Sequence, residues 1–316
     1  MSMTRRSVLA SLITTPFWPG LATAGTKLNV VATTGMIGDS LRQMGGDAVN
    51  VTSLMGAGID PHGYRATRSD IVAMSRADMV LWNGLFLEAQ MMDVLDQLAA
   101  RKPVIAVAEA LAADVLLRHA DYEGKPDPHV WMAPELWAEA LTPVTEALVT
   151  AAPHAEDQIR GQSAAYLASV RAVGAYGTKV LSALPAESRV LITAHDAFGY
   201  FGANFGFEVM GIQGISTESE AGLQRIGELV DILVDRKIGA VFVETSVSDR
   251  NIRALIEGAA ARGHDVTIGG ELFSDAMGPE GTYQGTYVGM MDHNFTTIAS
   301  ALGADVPAGG MQGRLA

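Results

Sequence analysis

Short apolar runs alternate with amphipathic stretches along most of the chain, starting at residue 27. In the first half the runs are rich in β-branched residues, which is typical of buried strands. They predict strands at residues 27–32, 49–55, 78–82 and 104–107, with helices at residues 36–44 and 86–100. Because strands that alternate with helices favour a parallel sheet, this half predicts a β/α lobe.

A much longer amphipathic segment follows, from residue 155 to residue 184. Its apolar residues recur at intervals near three, four and seven, as on one face of a helix. A helix of this length would span about 45 Å, which is enough to join two lobes. Three glycines inside it would each cost about 1 kcal/mol relative to alanine. They stand at positions 161, 174 and 177.

The alternation of strands and helices resumes after this segment. It predicts strands at residues 189–193, 208–212, 240–244 and 266–269, and helices after residue 196 and at residues 221–236, 249–262 and 287–302. The fold class is therefore α/β, with two β/α lobes of parallel-type sheets bridged by a single long helix. The predicted boundaries are an N-terminal lobe at 25–153, the linking helix at 154–184, a C-terminal lobe at 185–306 and a Gly-rich flexible tail at 307–316.

Residues 1–24 have the pattern of an export signal. Paired arginines at positions 5 and 6 precede an apolar run that ends at Leu21, and Ala-Thr-Ala at residues 22–24 has the form of a cleavage site. The stretch around the arginines also resembles a twin-arginine signal, so both the Sec and the Tat route stay open. A cleaved signal of this kind predicts a periplasmic protein.

Charge and cysteine content narrow the possible partners. The formal net charge is −13, and an acidic surface repels phosphate, so we expect no nucleic-acid partner. The chain has no cysteine, which excludes disulfides, thiolate ligands and a lipid on an N-terminal cysteine. We therefore expect a soluble protein without a lipid anchor.

The pattern Asp-Pro-His-x-aromatic occurs twice, at residues 60–64 and 127–131. Proline fixes its own φ and keeps the preceding residue out of the helical conformation, so each imidazole stands on a stiff loop. The aspartate can hold the proton of one ring nitrogen and leave the other nitrogen free for a metal. Both loops follow predicted strands, where parallel sheets bind ligands. We predict that His62 and His129 bind metal, against the alternative of two ordinary turns with surface histidines.

Two further residues are candidates for the same site. His195 directly follows a predicted strand and precedes Asp196, which could cap the next helix; the alternative is a histidine held by backbone contacts. Asp275 lies in a Gly-flanked loop after the last strand, and a carboxylate facing three imidazoles would suit a divalent ion. The alternative for Asp275 is an ordinary turn residue. Glu271 is a rival for its role and Asp249 a weaker one.

Five segments occur in the order and spacing of a known family, and they span nearly the whole mature chain. They are residues 60–62 (Asp-Pro-His), 127–131 (Asp-Pro-His-Val-Trp), 194–201 (Ala-His-Asp-Ala-Phe-Gly-Tyr-Phe), 213–217 (Gln-Gly-Ile-Ser-Thr) and 274–278 (Ser-Asp-Ala-Met-Gly). The chain resembles the TroA-like periplasmic solute-binding proteins, which deliver manganese, zinc or iron(II) to ABC transporters. The resemblance implies one metal buried in the cleft between the lobes. By position, it implies four ligands: His62 and His129 from the N-terminal lobe, and His195 and Asp275 from the C-terminal lobe.

The resemblance does not decide the metal by itself. The manganese branch of the family commonly has glutamate where this chain has His195, and some zinc-dedicated relatives have a long His-rich loop where this chain has a short connector with one histidine. The chain thus resembles the branch that holds either metal. Three imidazoles and one carboxylate suit zinc better than manganese, so we expect Zn²⁺ in the isolated protein, while Mn²⁺ stays open as the cargo in the cell.

The sequence therefore predicts a periplasmic receptor that binds one Zn²⁺ or Mn²⁺ as transported cargo. We expect it to be a monomer, not an enzyme, and to pass the ion to an ABC transporter permease that works with a cytoplasmic ATPase. One alternative is a metal-dependent hydrolase with the same His/Asp set, an open position for water and Glu271 as general base. Another is an adhesin or other surface-binding module, which would hold no metal tightly.

Overall fold

The computed structural model describes residues 26–119, 122, 124–219, 222–307 and 309–315. The predicted export signal lies outside these residues. Within them, no helix is both long enough and apolar enough to cross a membrane.

The N-terminal lobe is built on a four-stranded parallel sheet with the order β2-β1-β3-β4. Its strands are β1 (Leu28–Ala32), β2 (Val49–Ser53), β3 (Met79–Trp82) and β4 (Val104–Ala106). All four lie within the apolar runs that predicted them. Because the chain leaves β1 to one side for β2 and returns to the other side for β3, the strand order reverses between β1 and β3. Open parallel sheets bind ligands at such a point.

Four helices accompany this sheet. They are α1 (Gly35–Gly45), α2 (Arg68–Arg76), α3 (Met92–Ala99) and α4 (Pro134–Ala151). Two of them, α2 and α4, were not predicted from the hydrophobic pattern. Helix α2 buries only Met74 while Ile71 and Val72 are exposed, so its apolar periodicity is weak, and α4 contains Pro143, a residue that normally interrupts helices.

The helix predicted at residues 86–100 begins later than expected, at Met92. Leu85 and Phe86 have positive φ angles of 54° and 67°, so the chain forms a tight turn there instead of a helix. The turn brings the buried carboxylate of Glu88 back to the backbone N–H groups of Asn83 and Gly84, at 2.8 and 3.2 Å. These hydrogen bonds favour the turn over the helix.

The long helix α5 (Glu156–Leu181) connects the lobes. It has 26 residues, or about 39 Å, and it runs without interruption through the glycines at 161, 174 and 177. Gly177 has a packing reason, because a Cβ atom there would lie 2.7 Å from the ring of Phe295. Glycine at this position lowers the helix propensity, but it allows α5 to pack closely against the last helix of the chain.

The C-terminal lobe repeats the parallel arrangement. Its elements are β5 (Val190–His195), α6 (Gly199–Phe205), β6 (Glu208–Gln213), α7 (Leu223–Asp235), β7 (Ala240–Glu244), α8 (Arg250–Ala260), β8 (Thr267–Leu272) and α9 (Tyr287–Ala301). β5 pairs with β6 and β7 pairs with β8, both in parallel, while β5 packs beside β7. The strand order therefore reverses between β5 and β7, as it does between β1 and β3.

One apolar core runs through both lobes and the bridging helix. Trp137 on α4, Val170 on α5, Phe201 on α6 and Phe295 on α9 all belong to it. Two smaller clusters lie in the individual lobes. The lobes are therefore packed together over a shared core, and the predicted domain boundaries remain a proposal.

Residues 309–315 of the segment that was predicted as a flexible tail contact the body of the protein. The backbone N of Met311 donates a hydrogen bond to Asp292 Oδ1 at 2.8 Å, and the guanidinium of Arg314 lies 4.3 Å from the ring centre of Tyr283. Gly310, with φ of 77°, allows this approach, because a Cβ atom there would lie 2.5 Å from Asp292. The glycines that suggested flexibility form the turns that make the contact possible.

Candidate metal centre

His62 lies on the loop that joins β2 to α2, and its side chain is buried. Asp60 Oδ1 accepts a hydrogen bond from the backbone N of His62 at 2.8 Å, and Oδ2 accepts one from Thr217 Oγ1 at 2.5 Å. The described hydrogen bonds of Asp60 do not reach the imidazole, so the predicted contact is wrong for this copy of the motif. Asp60 fixes the backbone of His62 and not its ring.

His129 lies on the second Asp-Pro-His loop, one turn before α4. Asp127 Oδ1 is 2.7 Å from Nδ1 of His129 and 2.9 Å from its backbone N, so it holds the proton on Nδ1 and leaves Nε2 for a ligand. Asn83 Nδ2 donates to the carbonyl of Pro128 at 3.1 Å, and the Tyr200 hydroxyl donates to the carbonyl of Asp127 at 3.0 Å. Both lobes therefore anchor this loop.

His195 is the last residue of β5, as the sequence predicted for a strand end. Glu244, the last residue of β7, accepts hydrogen bonds from its Nδ1 at 2.5 Å and from its backbone N at 2.9 Å. Our sequence analysis did not include Glu244 in the site. The available signal was a carboxylate at the end of an apolar strand, because the carboxyl ends of neighbouring parallel strands lie together.

Asp275 lies in the loop after β8 and is buried. Trp131 Nε1 donates to the carbonyl of Ser274 at 2.9 Å, which ties this loop to the second Asp-Pro-His loop. The predicted rivals do not join the cluster: Glu271 is exposed on β8, and Asp249 forms an ion pair with an arginine one turn further along α8.

The four predicted ligands converge, with one donor atom from each within 4.8 Å of the others. The Nε2 atoms of His62 and His129 are 3.2 Å apart. The carboxylate of Asp275 lies 3.1 Å from Nε2 of His195, 3.3 Å from that of His129 and 3.6 Å from that of His62. In tetrahedral zinc sites, metal–nitrogen bonds of about 2.0–2.1 Å place neighbouring ligands roughly 3.3 Å apart. The four measured separations, 3.1 to 3.6 Å, are close to that spacing, so the donors can approach one ion together.

The donor atoms are buried, and several have no hydrogen-bond partner. All four side chains are at most 2% exposed. Nε2 of His195 and both carboxylate oxygens of Asp275 form no hydrogen bond, because their close approach is not aligned for one. Buried polar atoms without partners are costly, and a bound cation would pair all of them at once. The residues present therefore fit a metal ion.

The two Asp-Pro-His histidines have very different pKa values. Burial lowers the pKa of His62 to about 3, against the opposing effect of Asp275. Burial also acts to lower the pKa of His129, but the carboxylates of Asp127 and Asp275 outweigh it and raise that pKa to about 9. One imidazole is thus neutral at physiological pH and the other is protonated.

His195 and Asp275 stabilise each other's charged forms. Burial acts to lower the pKa of His195, but Glu244 and Asp275 raise it well above its usual value. Burial acts to raise the pKa of Asp275, but the positive charge of the facing His195 and the nearby imidazoles of His129 and His62 hold it well below its usual range. Without metal, the site therefore holds protons on two imidazoles, which an ion must displace.

The remaining histidines, which the sequence predicts to be structural or solvated, lie outside this cluster. His264 Nε2 is 2.8 Å from the carbonyl of Ile238, and His293 Nε2 is 2.9 Å from the carbonyl of Glu271. His119 faces Asp196 at 3.8 Å, which is too long for a hydrogen bond. Backbone carbonyls therefore account for the first two.

Relatives named for two different metals have similar identity to this chain. Over 280 residues it is 46% identical to the manganese-binding lipoprotein MntA of Bacillus subtilis (strain 168), covering 88% of this chain and 91% of that protein. Over 281 residues it is 44% identical to the zinc-binding protein TroA of Treponema pallidum (strain Nichols), covering 89% and 91%. The lipoprotein stands against our expectation of a protein without a lipid anchor. Because this chain has no cysteine, that expectation remains a proposal.

A solved structure and a family model agree with the fold described above. The periplasmic zinc-binding protein TroA from Treponema pallidum superimposes with a TM-score of 0.85 at 44% identity, covering 88% of this chain and 99% of that chain. The match confirms the predicted fold class. The family model ZnuA, described as zinc-uptake complex component A, periplasmic, matches residues 30–301, which include all four clustered residues. The chain therefore belongs to the ZnuA family of metal-uptake binding proteins.

Proposed function

We propose that this chain binds one divalent transition metal ion and delivers it to the membrane permease of an ABC importer that works with a cytoplasmic ATPase. The proposed ligands are His62, His129, His195 and Asp275. The observation that carries the proposal is their buried cluster, in which one donor atom from each residue lies within 4.8 Å of the others. Membership in a family of solute-binding components supports the transport role.

Zinc is our first choice of ion on chemical grounds. Three imidazoles and one carboxylate form a nitrogen-rich site, and zinc binds such sites more tightly than manganese does. Manganese stays the alternative cargo, because relatives of similar identity are named for each metal and selection in a cell depends on metal availability as well as affinity.

The proposed setting is the periplasm, with export by the Sec or Tat route and the mature protein acting as a monomer without a lipid anchor. The export pattern at residues 1–24 and the absence of cysteine support this setting. The net charge of −13 suits a cation carrier and disfavours nucleic acid. Among the described contacts, none favours a hydrolase, because Glu271, the predicted general base, is exposed and not clustered with the four ligands.

Metal analysis and competition test the proposal directly. Protein purified from the periplasm should contain about one transition metal ion per chain, as a single four-ligand site requires. In a competition titration, Zn²⁺ should displace Mn²⁺ at equal concentration. Protein that binds neither ion would overturn the function, whereas displacement of Zn²⁺ by Mn²⁺ would overturn only our choice of metal.

A further inference from the structure

The aspartate of the first Asp-Pro-His loop connects the two lobes. Asp60 accepts a hydrogen bond from the backbone of His62 with one oxygen and from Thr217 Oγ1 with the other, at 2.8 and 2.5 Å. Thr217 follows β6 and belongs to the C-terminal lobe. A single carboxylate therefore links the backbone of one proposed ligand to the opposite lobe.

Thr217 is in turn tied to the strand that carries a second proposed ligand. Gln213 ends β6, where it pairs in register with His195 on β5. Its side-chain Nε2 donates to the carbonyl of Thr217 at 3.3 Å. A continuous set of contacts thus runs from His62 through Asp60, Thr217 and Gln213 to the strand of His195, and it closes around the cluster.

This connection borders a solvent-open cavity. The cavity of about 580 Å³ is lined by Asp60, Gln213 and Thr217, together with residues of α7 and of the β7–α8 segment. Asp60 is half-buried, and it stands two residues from His62. The hydrogen bond between Asp60 and Thr217 therefore joins the lobes beside this cavity, two residues from His62.

A second polar contact joins the two lobes near Thr217, but it is of a different kind. Gln90 Nε2 donates to both carboxylate oxygens of Glu218 at 3.2 Å, and this contact is exposed. Water competes with exposed polar contacts, so they add little stability. A partly buried hydrogen bond to a carboxylate is stronger, so the bond between Asp60 and Thr217 is the stronger of these two links.

We propose that the hydrogen bond between Asp60 and Thr217 is an interlobe latch that sets the rate at which bound metal leaves. The proposal rests on the function proposed above. An ion held by ligands from both lobes can leave only when some of those ligands separate. Separation of His62 from the C-terminal lobe must break the bond between Asp60 and Thr217. Asp60 and Thr217 are positioning residues, because they act on the ion through His62 and through lobe closure.

The test compares two hydroxyl deletions in the same segment. Thr217→Val keeps the β-branched shape but removes the donor to Asp60. Ser219→Ala removes a hydroxyl whose hydrogen bond among the described residues stays within the segment, to the carbonyl of Ser216. Each Zn²⁺-loaded protein is mixed with excess chelator, and the transfer of the ion is followed by stopped flow. T217V should release Zn²⁺ about tenfold faster than the unaltered protein, equivalent to about 1.4 kcal/mol, and S219A should stay within about twofold.

The results of this test distinguish a failure of the latch from a failure of the proposed metal-binding function. Equal release rates for T217V and S219A would overturn the latch, provided that each protein binds one equivalent of Zn²⁺. Failure of the unaltered protein to bind Zn²⁺ or Mn²⁺ would overturn the proposed function instead. A merely structural role of Thr217 would lower the thermal midpoint of the metal-free protein without changing the release rate, and that result would also overturn the latch.

Discussion

The two Asp-Pro-His loops share a sequence pattern but differ in their surroundings. In the first loop, residues 56–59 and Gly63 are exposed, and only Pro61 and His62 are buried. In the second, every residue from 127 to 133 is buried. The pattern therefore determines that each loop is stiff and presents an imidazole, while the environment determines what the aspartate does.

The difference appears in the aspartates and in the charge of the rings. Asp127 is buried beside the ring of His129 and, with Asp275, raises its pKa to about 9. Asp60 reaches across to Thr217, and the pKa of His62 falls to about 3 because burial dominates. A carboxylate beside a buried imidazole reverses the effect of burial. The same motif thus supplies one ligand that carries a proton and one that does not.

Removing either imidazole should produce the largest effect, because both supply Nε2 to the cluster. Loss of a carboxylate that only orients a ligand lowers metal affinity by at most about 100-fold. Because His129→Ala and His62→Ala each remove a ligand itself, we expect each to lower Zn²⁺ affinity by more than that. Competition against a chelator of known affinity measures this loss. His264→Ala is the control, because His264 contacts the backbone carbonyl of Ile238 and does not belong to the cluster. Unchanged affinity for either variant would remove that histidine from the ligand set.

Changing the aspartates should separate the two loops. Asp127→Asn removes the charge beside the ring of His129, so Zn²⁺ affinity should fall by about 10–100-fold. Asp60→Asn alters a residue that contacts His62 only through its backbone, so the affinity should fall by less than about tenfold. The same competition titration measures both variants. Equal losses of Zn²⁺ affinity in the two variants would show that both aspartates act on their histidines in the same way, which would contradict the difference between the loops.

The sequence predicts the fold better than it predicts the contacts within it. All eight strands could be found because each is a short apolar run, and α5 because its apolar face is long. Helices α2 and α4 were missed, one because its outer residues are apolar and exposed and the other because Pro143 interrupts the expected pattern. The packed C-terminal segment was missed because glycine content indicates conformational freedom and not the turn that uses it.

The candidate site shows the same limit. The four predicted ligands come together as the motifs and the resemblance indicated. The roles of Glu244 and Thr217 could not be predicted, because they depend on which strand ends and loops become neighbours. The function of Asp60 was predicted wrongly for the same reason: a local motif does not show whether its aspartate turns toward its own ring or toward the other lobe.

Proton release offers the smallest but most specific comparison of the loops. In the metal-free site at pH 7.5, His129 is protonated because its pKa is about 9. His195 is protonated as well, since its pKa is raised well above its usual value. His62 is neutral, because its pKa is about 3. Binding of Zn²⁺ should therefore release about two protons, and affinity should rise as pH increases, by about tenfold per unit for each displaced proton. Calorimetric titrations in two buffers of different ionisation enthalpy measure the number. Asp127→Asn should lower the number of released protons toward about one, because the pKa of His129 falls without the neighbouring carboxylate. A number that stays at two in this variant, or an affinity that rises as pH decreases, would contradict the assignment of a protonated ligand to the second loop.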